Sequence, residues 1–513
     1  MRVSRTENSR KNILYGILGK IIQLFVKFIL RTVLIYYLGA VYIGLDGLFL
    51  NILSVLSVAE LGISSAICFA LYRPLQDENR YIVSAYIQFY HKVYILVGFV
   101  IFIVGILITP LLKYIVSFPE GITINYYIIY YLFLLNTIAT YFCGAYRQIL
   151  FIADQKNYIN TNVTNIVFLV TAIFQIVVII LTKNYYLYLC IMILGNCTTN
   201  LWISYMVMEN YPYLKKYKNA KLSLEERKNL AKNVYALAVT KISTVIYTSS
   251  DNIVISSLVG TLIVGYYSNY AYVISAVTGI IAIIFSSILA SVGNAYVTET
   301  REVVYQIYKR ALYINVWIYG ICFTCFMCLL QDFIKLWAGE AYLLRDDIVI
   351  VITSMFIIQG LHHTTTIFKD ACGLFWKTRY RTIATASINI ISSVFLVQRI
   401  GLAGCFLGTI LSYFLTTFLF DPGIVFKEAF GKRNGKEFYV WYGKNITLIF
   451  VVAGMFWKIF KNFSVTTWGF FFVKAIFVFV IVNLIYYLLL RNQEEFSYFF
   501  GIVKRSIRKG NSK

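Results

Sequence analysis

Charged residues are scarce in this 513-residue chain. They make up 13% of the sequence, whereas hydrophobic residues make up 59%, and the mean hydropathy is +0.72. A soluble protein of this length would carry nearly twice that charge, so the scarcity excludes a soluble globular protein. The apolar runs exceed 18 residues and do not alternate over about ten, which excludes a transmembrane β-barrel. The sequence therefore predicts an all-α polytopic membrane protein.

About fourteen segments have the length and composition of transmembrane helices. Their predicted bounds are 13–38, 45–70, 86–112, 125–146, 159–182, 186–208, 234–258, 263–297, 311–337, 347–368, 383–398, 402–420, 445–460 and 465–490. We expect four regions: an N-terminal lobe of six helices (1–210), a basic cytoplasmic linker (211–233), a C-terminal lobe of six helices (234–430) and a last region with two helices and a basic tail (431–513).

Positive charge is distributed unevenly between the two sides of the predicted membrane. With the N-terminus in the cytoplasm, the inside segments hold 33 Lys and Arg residues and the outside loops hold seven. The positive-inside rule therefore predicts that both termini are cytoplasmic. The net charge of +23 is mainly a signal of topology. Because the basic residues are scattered over many short loops, a nucleic-acid partner is not predicted.

No metal or cofactor site is predicted. Cys322, Cys325 and Cys328 are spaced three apart in one apolar span, but small residues at that spacing are typical of packing between membrane helices. His362 and His363 are interpreted as satisfied residues of the helix bundle. A Gly-rich phosphate-binding loop is absent, so the sequence does not predict a role for ATP.

Three cations lie within the first apolar span. At 100° per residue Lys20, Lys27 and Arg31 fall within roughly 40° of arc, so they share one helix face. A charge at the centre of a spanning helix costs about 2.5–3.5 kcal/mol, and such residues usually face a bundle interior or a water-filled cavity. This stripe predicts a cavity that receives an anionic group.

The chain repeats itself weakly at a long period. Gly39 and Gly44 in "LGAVYIGL" (38–45) match Gly260 and Gly265 in "VGTLIVGY" (259–266) at an offset of 221. A second match, at an offset of 224, joins Leu150-Phe151 and Asn165-Ile166 to Leu374-Phe375 and Asn389-Ile390. Because the offset spans an even number of helices, we predict parallel, pseudo-symmetric lobes with a central cavity and substrate site at their interface.

The repeat adds one residue to the candidate site. Lys241 occupies the register of Lys20 in the second repeat, so each lobe contributes a lysine. Snorkelling to the lipid head groups is the alternative interpretation for either lysine alone. Lys474 in the last span is predicted to snorkel to the head groups or to contact lipid. Glu60 and Asp251 are the acidic candidates within spans, for ion coupling or for charge balance. A structural ion pair stays an open alternative for both.

Five segments in order carry a resemblance to a known family. They are "AELGISSAICFALYRPL" (59–75), "SDNIVIS" (250–256), "LWAGEAY" (336–342), "KDACGLFWKTRY" (369–380) and "GLAGCFLGTILS" (401–412). They resemble the Wzx-type polysaccharide flippases, the polysaccharide-transport family of the multidrug/oligosaccharidyl-lipid/polysaccharide (MOP) exporter superfamily. The resemblance covers about residues 10–430 and is weakest in the last two spans.

The resemblance implies a fold, a substrate and a location. The implied fold has two six-helix lobes around a central cavity, with two further C-terminal helices. The implied function is to flip undecaprenyl-pyrophosphate-linked oligosaccharides across the bacterial plasma membrane for capsule, exopolysaccharide or O-antigen synthesis. Cationic cavity residues of the family contact the pyrophosphate, and that role falls on Lys20, Lys27, Arg31 and Lys241. Membrane lipids, a polysaccharide polymerase and glycosyltransferases are the expected partners, and no catalytic activity is expected.

Three alternatives remain open at this point. A small-molecule or multidrug exporter of the same superfamily should have an acidic or apolar cavity, whereas the deep cations here outnumber the deep carboxylates. A polysaccharide polymerase or ligase should have a large external loop with arginines, whereas the predicted outside loops are short. A lipid II flippase differs from the favoured function only in the sugar.

Overall fold

The computed structural model describes residues 2–57, 61–116, 124–372, 374–431, 433, 435–463 and 465–491. Within these ranges the chain forms helices and no strand. Nine helices of this part are long and apolar enough to cross a membrane, or ten if the bent pair Tyr126–Phe142 and Ala145–Ala153 counts as one span. The predicted class is confirmed: the chain is an all-α polytopic membrane protein.

The chain divides into two compact units, Met1–Ser268 and Asn269–Lys513. The first unit contains α1 (Arg2–Tyr37), α2 (Ala40–Leu56), α3 (Leu61–Gln76), α4 (Arg80–Ile108), α5 (Leu112–Ile115), α6 (Tyr126–Phe142), α7 (Ile149–Ala153), α8 (Asn157–Thr182), α9 (Tyr185–Asn210), α10 (Tyr213–Lys216) and α11 (Leu224–Leu258). Helix α12 (Thr261–Thr298) begins in the first unit and continues into the second.

The second unit contains the remaining helices. They are α13 (Arg301–Ala338), α14 (Asp346–Ala371), α15 (Phe375–Ile400), α16 (Leu402–Tyr413), α17 (Leu419–Glu428), α18 (Lys436–Phe460) and α19 (Trp468–Leu490), with a π-helical turn over Phe414–Phe418 between α16 and α17. Each of the fourteen predicted spans lies mostly on helical residues. The second, 45–70, covers most of α2 and part of α3, and residues 58–60 between these helices lie outside the described part. The predicted lobe boundaries stay a prediction.

Glycines allow α2 and the start of α12 to cross in close contact within the first unit. A Cβ on Gly44 would overlap the carbonyl oxygen of Thr261, and a Cβ on Gly265 would overlap the carbonyl oxygen of Ala40. Ala40 and Thr261 are themselves 221 residues apart, which is the offset of the predicted repeat. The two segments matched by the predicted repeat therefore make equivalent backbone contacts at this crossing.

Helix α13 is the centre of the second unit, where it contacts α14, α18 and α19. The Asn315 amide donates hydrogen bonds of 3.0 Å to the carbonyl oxygens of Gly360 and Leu361 on α14. On α19, Lys474 donates to Asp332 of α13 at 2.7 Å, and its side chain is only 8% exposed. The prediction that Lys474 snorkels to the lipid head groups is therefore wrong, because a carboxylate on the neighbouring helix neutralises it.

A second buried ion cluster joins α14, α15 and α17. Asp421 is fully buried and lies between two cations, with its Oδ1 3.0 Å from Nε of Arg381 and its Oδ2 3.5 Å from Nζ of Lys369. Asp370 lies 3.6 Å from the same lysine, and Arg381 also donates to Thr417 on the π-helical turn. A buried charge is tolerated when it is paired in this way.

Candidate functional site

The structure places the predicted cationic stripe on one face of α1. The side chains of Lys20 and Lys27 are exposed, and that of Arg31 is half-buried. Among the described residues no carboxylate lies within 4 Å of the ammonium groups of Lys20 and Lys27, and the two lysines repel each other electrostatically. From Lys20 to Arg31 the stripe extends roughly 16 Å along the helix, at 1.5 Å per residue.

The neighbouring face of α1 packs against α8, which fixes the direction of the stripe. Gly19 is buried because Asn165 of α8 occupies the space of a Cβ, and the Gln23 amide donates to Asn165 Oδ1 at 2.9 Å. At 100° per residue, Gln23 lies about 60° and Gly19 about 100° from the centre of the cationic stripe. The helix therefore buries its polar and small residues against α8 and leaves the lysine side chains exposed.

Arg31 differs from the two lysines because an acidic residue lies near it. Asp46 on α2 interacts electrostatically with Arg31, and its Oδ1 accepts a hydrogen bond of 3.3 Å from the Tyr185 hydroxyl. Tyr185 packs against Tyr42 and Tyr188, with ring centroids 4.9 and 5.5 Å apart respectively. A carboxylate and a cluster of three tyrosines thus lie near the C-terminal end of the cationic stripe.

Sequence reasoning missed Asp46. The residue lies within an apolar helix, and an ionisable group at such a position is a functional candidate by the rule that selected Glu60 and Asp251. That signal was therefore present in "GLDGLF" (44–49). The partnership with Arg31 and Tyr185 was not readable, because the second partner is 139 positions away in the sequence.

Of the other predicted site residues, the structure describes the side chain of Asp251 alone. Asp251 is half-buried on α11, which contacts α2 and α3, and it interacts electrostatically with Tyr247 one turn earlier. Residue 241 belongs to α11, but the Lys241 side chain lies outside the described part, as does all of Glu60. That Lys20 and Lys241 line the same cavity, and that Glu60 balances charge there, stay predictions.

Two other features of the described chain do not offer a site for an anion or a metal. A pocket of about 730 Å³ in the second unit is lined by apolar and aromatic side chains, among them Phe414, Phe418 and Tyr442, and by no charged residue. His362 is buried against Tyr413 and Phe438. No group of three or more His, Cys, Asp or Glu side chains in the described residues could hold a metal ion.

A comparison with models of protein families identifies the family of the chain. The sequence model of a family described as "Polysaccharide biosynthesis protein" matches residues 9–289, which is more than half of the chain. The chain belongs to this polysaccharide biosynthesis family, as the resemblance in the sequence predicted. No curated protein matches the chain.

Solved structures of low sequence identity share the fold. The lipid II flippase MurJ in an inward closed conformation is 16% identical, with a TM-score of 0.64 over 93% of this chain and 98% of that chain. An inward-facing multidrug resistance MATE family transporter of the MOP superfamily is 15% identical, with a TM-score of 0.61 over 79% of this chain and 94% of that chain. A MOP superfamily transporter from Pyrococcus furiosus is 12% identical, with a TM-score of 0.54 over 82% and 96%. The chain therefore shares its fold with these transporter and flippase structures.

Proposed function

We propose that the chain flips undecaprenyl-pyrophosphate-linked oligosaccharide repeat units from the inner to the outer leaflet of a bacterial plasma membrane. The observation that carries the proposal is the exposure of Lys20 and Lys27 on α1, the predicted first membrane span, with no described carboxylate within 4 Å of either ammonium group. Two uncompensated cations at that depth are costly unless water or an anionic ligand solvates them. A diphosphate head group supplies the matching charge.

The physical problem is the transfer of a diphosphate and several hydroxylated sugars through hydrocarbon. Burying such groups without hydrogen bonds is prohibitive, so a flippase replaces head-group hydration with polar and cationic side chains while the polyprenyl tail stays in lipid. Rocking of two parallel repeats exposes such a site to each side in turn. An inside-negative potential assists outward movement of an anion by about 2.3 kcal/mol per charge per 100 mV.

In this proposal each cation has a distinct role. Lys20 and Lys27 contact the diphosphate directly, and Lys241 contributes from the second repeat. Arg31, balanced by Asp46, marks the outer end of the path, where a weaker net charge favours release. The protein carries out no covalent chemistry, both termini lie in the cytoplasm, and the glycosyltransferases and polymerase of the same pathway supply the substrate and use the product.

Removing the charges tests the proposal. We expect Lys27→Ala and Arg31→Ala each to abolish surface polysaccharide at normal protein abundance, because each removes a cation from the anion path. Lys183→Ala is the matched control, since Lys183 is an exposed cation in the turn between α8 and α9. The readouts are surface polysaccharide and the amount of protein in the membrane. Wild-type polysaccharide in both variants would refute the proposed role.

A transport assay with defined lipids separates the alternatives. Full-length protein in liposomes receives undecaprenyl-pyrophosphate-linked oligosaccharide, lipid II or a fluorescent organic cation, and movement across the bilayer is followed for each. The proposal expects Lys27-dependent transport of the first probe. Transport of lipid II alone identifies a peptidoglycan flippase. Asp251-dependent export of the cation, with no lipid movement, identifies a small-molecule exporter.

A further inference from the structure

A second group of basic residues lies in the first unit, where a membrane span bends. The span formed by α6 and residues Ala145–Ala153 bends by 55°. Arg147 lies in the short 3-10 helix just after the bend, and His91 and Lys92 lie on α4 beside it. The imidazole of His91 interacts electrostatically with both Arg147 and Lys92. None of these three residues belongs to the cationic stripe of α1.

The backbone of the bend directs Arg147 toward α9. Gly144 adopts a left-handed conformation with φ +84°, which a residue with a Cβ rarely adopts. A Cβ at this position would also lie 2.8 Å from Oγ of Ser204 on α9. The glycine thus lets the chain turn sharply while the following 3-10 helix approaches α9. A bent or interrupted span is a frequent location for ligand sites in transporters.

The guanidinium of Arg147 is held in place before any ligand arrives. Its Nε donates to the Tyr146 hydroxyl at 3.0 Å and its Nη1 donates to Ser204 Oγ at 2.6 Å. The ring of Tyr146 is stacked on that of His91, with centroids 4.6 Å apart and planes 28° apart. A planar guanidinium fixed on one edge presents its remaining N–H groups in a defined direction, which suits bidentate binding of an oxyanion.

The cluster carries positive charge that the described protein does not neutralise. Among the described residues, no carboxylate lies within 4 Å of the cationic groups of Lys92 and Arg147 or of the His91 ring. The acidic residue nearest along the chain, Asp154, pairs with Lys156 at 2.7 Å and accepts a 2.7 Å hydrogen bond from Tyr211. The half-buried guanidinium of Arg147, beside the exposed ammonium of Lys92, requires an anion or water at this level of a membrane span.

We propose that Arg147, Lys92 and His91 bind the phosphoryl group of a membrane lipid. The predicted topology puts Arg147 at the inner end of the span 125–146, and it puts His91 and Lys92 about five residues into the span 86–112, at the level of the inner head groups. Two sources fit this chemistry: the diphosphate of the lipid-linked substrate before it reaches α1, or an anionic phospholipid. The first source rests on the proposed function, and the second does not.

Lipid binding to the full-length chain tests this site. Native mass spectrometry measures the affinity for undecaprenyl pyrophosphate and phosphatidylglycerol, with undecaprenol and diacylglycerol as probes that lack phosphate. We expect Arg147→Gln to weaken binding of a phosphate-bearing lipid roughly tenfold, because it removes a charge-assisted hydrogen bond. Lys92→Gln should weaken it up to about fivefold, since Lys92 is exposed. Lys156→Gln is the matched control, because Asp154 already neutralises this lysine.

The pattern of losses identifies the lipid. Weaker binding of undecaprenyl pyrophosphate alone supports a first contact for the substrate. Weaker binding of phosphatidylglycerol alone supports a phospholipid site. In that case the Lys27→Ala and Arg31→Ala variants still test the proposed function separately. Arg147→Lys should recover part of the affinity if charge is what matters. Should Arg147→Gln not fold, the exposed Lys92 carries the test. Wild-type affinity for both phosphate lipids in Lys92→Gln and Arg147→Gln would overturn the proposal.

Discussion

At the scale of single residues, Asp421 shows how this protein tolerates charge away from water. Its carboxylate is fully buried and is shared by Arg381 and Lys369. Desolvation of three charged groups cancels much of their attraction, so the cluster contributes little net stability compared with an apolar core. Removing one partner is different, because it leaves buried charge without compensation.

We therefore expect Asp421→Asn to lower the free energy of unfolding by about 3–5 kcal/mol. Asp370→Asn is the matched control. Because the Asp370 carboxylate is 38% exposed, this substitution should lower the free energy of unfolding by less than about 1 kcal/mol. Tryptophan fluorescence during chemical denaturation of the purified protein in micelles measures both. Equal, small effects of the two variants would mean that water reaches Asp421 and that the pairing is not essential.

Some residues of the candidate site could be predicted from the sequence, whereas the partners of others could not. Lys20, Lys27 and Arg31 could be predicted because helical periodicity places them on one face without any knowledge of neighbouring helices. Asp46 and Arg147 could not be assigned partners, because their contacts come from helices far along the chain. Hydropathy and periodicity describe one helix at a time, whereas pairing depends on how helices pack.

At the scale of helices, apolar length predicted where helices lie but not where they end. Helix α11 begins at Leu224, ten residues before its predicted span, because a capping box stabilises this end. The Ser223 hydroxyl accepts a hydrogen bond from the Glu226 N–H at 3.2 Å, and the Glu226 carboxylate accepts one from the Ser223 N–H at 2.8 Å. This capping box is readable in "SLEE" (223–226). Hydropathy does not detect it, because helical hydrogen bonds continue beyond the apolar segment.

The crossing of α2 and α12 provides a prediction about helices. We expect Gly44→Ala and Gly265→Ala each to destabilise the protein by about 1–3 kcal/mol, because each new Cβ would overlap a backbone carbonyl oxygen that cannot rotate away. Gly279→Ala on α12 is the control: its Cβ would meet no atom within 4 Å, and alanine favours the helix by up to about 1 kcal/mol.

Thermal unfolding followed by fluorescence measures these glycine variants. Because the two contacts are related by the repeat, the two substitutions should cost similar amounts. The double variant should cost less than their sum, since one displacement of α12 relieves both overlaps. Stability equal to wild type in both single variants would show that the close crossing is not required.

At the scale of the whole molecule, ion pairs in the second unit can be compared with the predicted membrane topology. Each pair joins helix ends that are predicted to lie on the same side of the membrane. Arg433 pairs with Glu302 at the start of α13, and Lys377 pairs with Glu428 at the end of α17 at 2.6 Å. Lys461, after α18, pairs with Asp346 at the start of α14 at 2.9 Å. The first two pairs join ends predicted to be cytoplasmic, and the third joins ends predicted to be outside. The alternation of sides thus agrees with the predicted spans, while the orientation of the whole protein rests on the positive-inside rule alone.

Labelling from outside the cell tests that orientation. In a variant whose nine cysteines are replaced by serine or alanine, Lys183→Cys lies in a predicted outside turn and Lys218→Cys in a predicted inside loop, and both positions are exposed. We expect a membrane-impermeant maleimide to label the first in intact cells and the second only after permeabilisation, because 33 inside and seven outside cations oppose the reverse insertion. The reverse pattern would place both termini outside, contrary to the predicted topology.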